Sequence, residues 1–458
     1  MTETILNTAE DFSRQPSLGP QCSELNHAAV DSADGRGNDV FLPEAPRSLK
    51  EAGITAEQAE ALILKVIFNN GAASGRDIAR QIALPSKIIQ RELLRIRNEL
   101  LISIKGDAPL SDFVYELSPL GTEQAKALSL QSTYCGAVPV TIEDYSKAVA
   151  AQSARHQQLN IEDIRRAMDG TVLADELLTR IGEAAGAGLG CFIFGAPGNG
   201  KTSIAERINR AYGETIWIPR AIGTCNEVIR LFDPAHHEQV PLEDQDGSHD
   251  QQLIDSRWVR IRRPTIIVGG ELTIEQLEVR RNPATGVIEA PLQMKSNCGT
   301  LVIDDFGRQR ANPRDLLDRW IVPLEKRHDY LGLPSGRQLQ VPFDQLVVFA
   351  TNLRPRDLVD EAFLRRIPYK IELDDPSDDE FRQVFDAEAR RMQIEYTPDL
   401  LDYLLEHHYR DADRPLRFCH AKDLLRQIRT ACNFRNQSLA VTKEGLDRAV
   451  RNYFSCTD

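Results

Sequence analysis

Gly195-Ala196-Pro197-Gly198-Asn199-Gly200-Lys201-Thr202 follows directly on the apolar run Leu189-Gly-Cys-Phe-Ile-Phe194 and continues into Ser203-Ile-Ala-Glu-Arg-Ile208. A buried strand feeding a glycine-rich turn that opens a helix is the setting a phosphate-binding loop requires. Glycines let successive backbone N–H groups point into one concavity, and the positive end of the helix dipole adds to it. In such a loop Lys201 reaches the β- and γ-phosphates, and the Thr202 hydroxyl sits on Mg2+. The stretch predicts nucleotide binding by Gly195 to Ser203 and an α/β fold, a P-loop parallel sheet sandwiched by helices.

Bulk properties narrow the setting. A chain of 458 residues suggests two to four domains with ample core. Lys plus Arg number 55 and Asp plus Glu 68, a formal charge of −13. Such a chain as a whole gains no counterion-release attraction to DNA, although a local basic face is compatible with it. Cys22, Cys135, Cys191, Cys225, Cys298, Cys419, Cys432 and Cys456 are scattered without C-x-x-C spacing. They read as reduced thiols, with neither a zinc site nor a disulfide framework. No apolar stretch approaches the roughly 18 residues of a membrane span, and the N-terminus lacks a signal pattern, so a soluble, cytoplasmic protein is expected.

Residues 1–48 are poor in aromatics and rich in Ser, Asp, Gly, Asn and Pro, and read as a disordered tail. Residues 49–132 have a different pattern. A helix is expected from Ala56 to Phe68, stopped by Asn69-Asn-Gly71, and a second from Asp77 to Ala83 after the capping-box form Ser74-Gly-Arg-Asp77. A third spans Lys87 to Leu100, followed by strands Leu101–Lys105 and Phe113–Leu117 around a Gly-Asp-Ala-Pro tip. This is the order of a winged helix-turn-helix. Between residues 71 and 106 seven basic residues (Arg76, Arg80, Lys87, Arg91, Arg95, Arg97, Lys105) face three acids (Asp77, Glu92, Glu99), a net +4. The face either contacts DNA or belongs to a small protein-contact or packing domain whose charges are merely solvated. Residues 133–170 read as a helical connector with one helix from Ile142 to Arg166, and Leu173 to Ala187 as a further amphipathic helix.

Three later segments carry chemistry. Thr300-Leu-Val-Ile-Asp304-Asp305 is a β-branched strand ending in two acids. An acid at the C-terminal edge of a parallel strand lies at the crevice where ligands bind. Asp304 is the candidate Mg2+ holder through water, and Asp305 the candidate that orients or deprotonates the attacking water. Leu346-Val-Val-Phe-Ala-Thr351-Asn352 is another buried strand, whose terminal Asn352 suits a hydrogen bond to that water or to the γ-phosphate. Arg365 and Arg366 stand before an apolar strand, where a guanidinium either stabilises the transferring phosphoryl group or makes a surface salt bridge. Arg262 to Gln276 reads either as a pore-facing or substrate loop or as scaffold. Trp320 reads as core, Leu331 to Pro342 as a hairpin, and His236-His237 as a surface loop rather than a metal site.

Together, Gly195 to Thr202, Leu301 to Asp305, Ala350-Thr-Asn352 and Ala362-Phe-Leu-Arg-Arg366 resemble the AAA+ ATPase family over roughly residues 170–458. The first two motifs alone fit any P-loop NTPase. The resemblance implies an ATPase core over 171–374 and an all-helical lid over 375–458, with ATP and Mg2+ as ligands. Asn352 resembles the first sensor, and Arg365 and Arg366 the finger pair that acts on a neighbour's nucleotide. That implies a homo-oligomeric ring, most often of six subunits. The family's second sensor is an Arg at the start of a lid helix; here Lys422 occupies the slot, with Arg417 close by. The hairpin is similar to that of the clade that includes MoxR-type ATPases. One departure is Asp305, where the family usually has Glu. The side chain is one methylene shorter, and general-base action needs a reach of about 2.6–3.2 Å or one bridging water. Either the loop moves closer or hydrolysis is slow. The expected function is ATP hydrolysis coupled to remodelling of a protein partner. The rivals are an ATP-gated DNA-binding regulator and a non-hydrolysing ATP-bound scaffold.

Overall fold

The computed structural model describes residues 41–224, 227–242 and 254–455. The chain opens with α1 (Ala56–Asn70), β1 (Ala73–Ser74), α2 (Gly75–Ile82), α3 (Ser86–Asn98), β2 (Ile102–Ala108), β3 (Asp112–Leu117) and α4 (Pro119–Gln131). Thr55 and Gln58 form a capping box at α1, and Gly71 closes the helix with φ +74°. The second helix begins at Gly75, two residues earlier than its sequence suggests, because the Ser74 hydroxyl accepts the Asp77 N–H and so stands at the N-cap. The strands form an antiparallel sheet in the order β1-β3-β2, a third short strand joining the expected pair. Pairing continues past a bulge between Ile104 and Gly106 to Ala108↔Asp112, so the hairpin tip lies beyond the Gly-Asp-Ala stretch read as a turn. Ile63, Ile67, Ile78, Ile89, Leu93 and Ile96 form the core of this region.

Residues 1–40 of the expected tail lie outside the described residues, but its last portion is packed. Phe41 meets Trp258 edge-on at 5.5 Å, and the Pro43 carbonyl accepts the Asp255 N–H at 2.9 Å. An aromatic contact together with backbone pairing holds this segment, which composition alone does not reveal.

The expected helix from Ile142 to Arg166 is broken. After β4 (Val140–Thr141) come α5 (Ile142–Ala151), a 3-10 turn (Ala154–His156) and α6 (Ile161–Ala167). Ser153 caps the turn and Asn160 forms a capping box with Asp163. These short polar side chains offer backbone N–H groups an alternative to the helical carbonyl. The Gln152 amide meanwhile pairs both ways with the Trp217 backbone, at 2.6 and 2.9 Å. The segment is also more than a connector: Tyr145 and Val149 enter one core, and Ile164, Ala167 and Met168 another.

Then follow α7 (Asp175–Ala187), β5 (Cys191–Gly195), α8 (Lys201–Ile208), β6 (Thr215–Pro219), β7 (Ala221–Thr224), β8 (Glu227–Arg230), β9 (Trp258–Arg262), β10 (Thr265–Val268), β11 (Arg280–Arg281) and β12 (Ile288–Glu289). Next are α9 (Leu292–Lys295), β13 (Thr300–Ile303), α10 (Pro313–Lys326), the hairpin β14 (His328–Gly332) and β15 (Gln338–Pro342), β16 (Leu346–Thr351), α11 (Pro355–Leu358), α12 (Glu361–Leu364) and β17 (Tyr369–Leu373). The central sheet has the order β10-β13-β16-β5-β17, and every pairing in it is parallel. Its strands are apolar on both faces, as a helix-covered parallel sheet requires. Alternate residues divide between two cores. Ile193, Val302, Val348 and Ile371 meet α7 and α8, while Phe192, Leu301, Ile303 and Phe349 meet α10. Thr265–Val268 is the sheet's edge strand, so that part of the segment from Arg262 to Gln276 is scaffold. A second layer, β11-β12-β8-β7-β4, is flanked by the β6-β9 pair.

The remainder is helical: α13 (Asp378–Met392), α14 (Pro398–Tyr403) running into a π-helical turn (Leu404–Arg410), α15 (Phe418–Phe434) and α16 (Lys443–Phe454). The fold is therefore α/β, a parallel sheet covered by helices with a helical C-terminal region. Trp320 is fully buried against Phe343 and Phe349, with ring centroids at 6.1 and 6.2 Å. Trp320→Ala is expected to lower unfolding free energy by roughly 3–5 kcal/mol, measured by chemical denaturation of the full chain.

Candidate nucleotide site

The phosphate loop leaves the C-terminal end of β5, and α8 begins at Lys201 with Gly200 as its N-cap at φ +80°. No side chain caps this helix start. Its first N–H groups are therefore open toward the loop, the arrangement an anion needs. A Cβ on Gly200 would meet nothing within 4 Å, so the positive φ, not crowding, calls for glycine there. Gly198 differs. Its φ is +89°, and a Cβ would lie 2.5 Å from Cys419 Sγ, so the C-terminal helices sit directly on the loop. Pro197 and Ser203 are exposed, and Ala196 is half-buried.

Lys201 is buried, and its Nζ donates to the Gly195 and Ala196 carbonyls at 3.1 and 2.9 Å. Burial pushes its pKa down, while the carboxylates of Asp304 and Asp305 pull it back up. The Thr202 hydroxyl lies 3.0 Å from each Asp304 carboxylate oxygen. Asp305 has φ +49°, in the left-handed region that Asp tolerates better than most residues. Its Oδ1 accepts the Asn352 Nδ2–H at 3.0 Å. These two residues meet because β13 and β16 pair in register, Ile303 opposite Phe349, so their C-terminal ends emerge side by side. Gln309, not singled out from sequence, ties this corner down: its Nε2 donates to the Asp304 carbonyl at 2.9 Å and its Oε1 accepts the Gly307 N–H at 2.8 Å.

Asn199 is the other residue whose structural part sequence reading did not foresee. It is 3% exposed, and its Nδ2 donates to the Asp375 carboxylate at 2.8 Å and to the Asp374 carbonyl at 3.1 Å. Its Oδ1 is buried without a partner. Asp375 also forms an ion pair with Arg417, the N-cap residue of α15. The Cys419 N–H donates to the Gly198 carbonyl at 3.0 Å. The cation beside the loop is thus Arg417 and not Lys422, which lies exposed further along α15. The correction is one of helix register: α15 starts at Phe418, so its first residues face the loop and Lys422 is carried a turn away.

Arg365 and Arg366 do not join this cluster. Parallel pairing sets Leu373 opposite Gly195 and Tyr369 opposite Cys191, so residues before Tyr369 lie at the other edge of the sheet. β17 alone separates the two edges by roughly 13 Å at about 3.3 Å per residue. Arg366 Nε pairs with Glu325 at 3.1 Å, whereas Arg365 is exposed.

A hydroxyl and a carboxylate beside an anion-binding helix start form a hard-oxygen set suited to Mg2+ bound jointly with phosphates. Among the described residues no group of three or more His, Cys, Asp or Glu is placed to hold a metal ion by itself. His237, read as surface, is buried: Nδ1 accepts the Asp233 N–H at 3.1 Å and Nε2 lies 2.9 Å from the Lys295 carbonyl. Burial depresses its pKa and fixes it as a structural imidazole. Three of the seven basic residues between 71 and 106 are paired with acids. Arg95 contacts Glu60, Glu92 and Glu99, Lys105 pairs with Glu116, and Arg80 pairs with Asp77.

A family model described as a domain of unknown function (DUF8689) matches residues 377–452. No curated protein matches the chain. Solved structures of Thermotoga maritima RuvB do. A mutant form is 12% identical, with a TM-score of 0.35 over 66% of this chain and 73% of that one. The structure titled as the Holliday junction branch migration motor is 13% identical, with a TM-score of 0.34 over 64% and 70%.

No helix among the described residues is long and apolar enough to cross a membrane. Gly198→Ala forces the loop off Cys419 and is expected to weaken ATP binding at least about tenfold, roughly 1.4 kcal/mol, in titration calorimetry.

Proposed function

We propose that this chain is an ATPase of the AAA+ kind, hydrolysing ATP to ADP and phosphate in a homo-oligomeric ring and coupling this to remodelling of a protein partner. The observation that carries the reading is the division of charge across the sheet. Lys201, Thr202, Asp304, Asp305 and Asn352 converge at one edge, while the exposed Arg365 stands at the other. A guanidinium so placed cannot serve its own loop but can serve that of an adjacent subunit.

In this mechanism the loop N–H groups and Lys201 bind the phosphates, and Thr202 and Asp304 would hold Mg2+. The metal, when bound, supplies charge neutralisation on the phosphates. Asp305 orients and accepts a proton from the attacking water, steadied by the Asn352 amide. Arg417 exchanges its Asp375 partner for phosphate oxygen and so reports the nucleotide to the lid. Arg365 of a neighbour stabilises the charge that spreads over the transferring group. Ring size follows only from the family resemblance, which favours six. Glu60, Glu92 and Glu99 hold Arg95 and so remove one cation from the face that the DNA-regulator reading needs.

Phosphate release should be abolished by Lys201→Ala and Asp305→Ala. Arg365→Ala should lower kcat by about 10³-fold with ATP affinity retained, and Arg366→Ala by much less. Mixing the Lys201→Ala and Arg365→Ala chains should restore part of the activity, because each supplies what the other lacks. Full specific activity in dilute monomer, or unchanged turnover in Arg365→Ala, overturns the shared site. Binding without turnover at any protein concentration overturns hydrolysis itself and leaves a scaffold.

A further inference from the structure

A groove of about 1510 Å³ lies between the α2–α3 turn and the layer containing β8 and β12, with Arg76, Lys87, Arg220, Arg230, Asp255 and Glu289 among its walls. Its acids are already committed. Asp255 is buried in a pair with Arg257, Nη2 to Oδ2 at 2.7 Å, and Glu289 is paired with Arg230 at 2.6 Å. Three cations remain without a carboxylate partner among the described residues: Arg76, Lys87 and Arg220. The Arg76 guanidinium donates to the Leu110 carbonyl, while its backbone N–H donates to the Asp112 carboxylate at 2.9 Å.

Arg220 is held at the groove by its backbone. Its N–H donates to Arg257, and its carbonyl accepts from Leu231 and Phe232. Its side chain is half-buried, and burial depresses its pKa. A half-buried cation lacking a counter-charge is destabilised, and an incoming anion relieves this. The start of α3, a 13-residue helix, opens onto the same groove at Pro85, Ser86 and Lys87, and no side chain caps it. Its open N–H groups add a second attraction for negative charge.

We infer that this groove docks an acidic segment of the protein partner, an extended peptide whose carboxylates meet Arg220, Lys87 and the α3 N-terminus while apolar side chains line the wall between them. Charge complementarity and the character of the wall select that occupant. The volume exceeds the roughly 300–1,000 Å³ of small-molecule pockets. The cations are spaced by apolar wall (Ala79, Ala83, Leu84, Val287), whereas one phosphate needs convergent donors. Single-stranded nucleic acid needs open aromatic faces. The Phe232 ring instead stacks on His237 at 5.9 Å and carries the Arg220 guanidinium at 5.7 Å, and Tyr134 is tied by its hydroxyl to the Ala137 carbonyl.

The inference rests on the partner-remodelling reading but is measured without hydrolysis. A short fluorescein-labelled peptide alternating Glu with Leu is titrated against the full chain and against Lys201→Ala, with fluorescence anisotropy as the readout. It should bind both equally, whereas the version with Lys in place of Glu should not bind. Arg220→Ala should weaken binding about tenfold, the effect of one charge-assisted hydrogen bond, with ATP affinity and melting temperature unchanged. Arg220→Lys should retain most of the affinity. Equal affinity of the wild type and Arg220→Ala overturns the site, as does no binding of the acidic peptide. Displacement of the peptide by inorganic tripolyphosphate or by an oligodeoxynucleotide at equal concentration overturns the choice of a peptide. Loss of the ATPase reading with peptide binding intact removes the motor and leaves the dock; the reverse result removes only the dock.

Discussion

The hydrogen-bond register of the parallel sheet is the constraint on which the site depends. Ile303 lies opposite Phe349, and Ala350 opposite Ile193, so β13, β16 and β5 end in one row. Only then do the Thr202 hydroxyl, the Asp304 carboxylate and the Asp305–Asn352 pair come within hydrogen-bond distance of one another. The register is held by packing as much as by the ladder. Successive residues of each strand enter opposite cores, so a one-residue slip would exchange the two faces and leave both mismatched. The same parallel pairing carries Arg365 to the far edge, so a single backbone geometry gathers Thr202, Asp304, Asp305 and Asn352 and keeps Arg365 apart from them.

A second link joins this edge to the C-terminal helices. Asp375 receives both the Asn199 amide and the Arg417 guanidinium, and the Cys419 N–H closes on the Gly198 carbonyl. Any movement of α15 therefore acts directly on the phosphate loop. The coupling runs through direct hydrogen bonds and one ion pair at Asp375, which weaken steeply with distance and so transmit displacement. The uncapped start of α3 and the half-buried Arg220 show the same physics elsewhere: positive potential left open where an anion can complete it.

Much of the site could be read directly from the chain, because its parts are local. A glycine-rich turn between an apolar strand and a helix needs only its own residues to be recognised, and so does a β-branched strand ending in two acids. The hairpin β14–β15 and the burial of Trp320 were legible in the chain as well. The misreadings arose where distant contacts override local preference. Residues 142–166 have helical periodicity, yet Gln152 is claimed by the Trp217 backbone and Ser153 and Asn160 by their own caps. Phe41 lies in a polar, tail-like composition but finds Trp258. His237 looks like a surface residue until Asp233 and Lys295 enclose it. Arg95 counts as free positive charge until Glu60 arrives from another helix.

The sequence by itself determined the loop, the acid pair, the buried strands and the helical end of the chain, because turn chemistry and hydrophobic period act over a few residues. Tertiary structure alone decided that Arg417 rather than Lys422 lies against the loop, that Asn352 holds Asp305, and that Arg365 faces away from both. Those outcomes depend on helix register and on strand order in space. These are set by which apolar faces can be buried together, and no short window of residues contains that information.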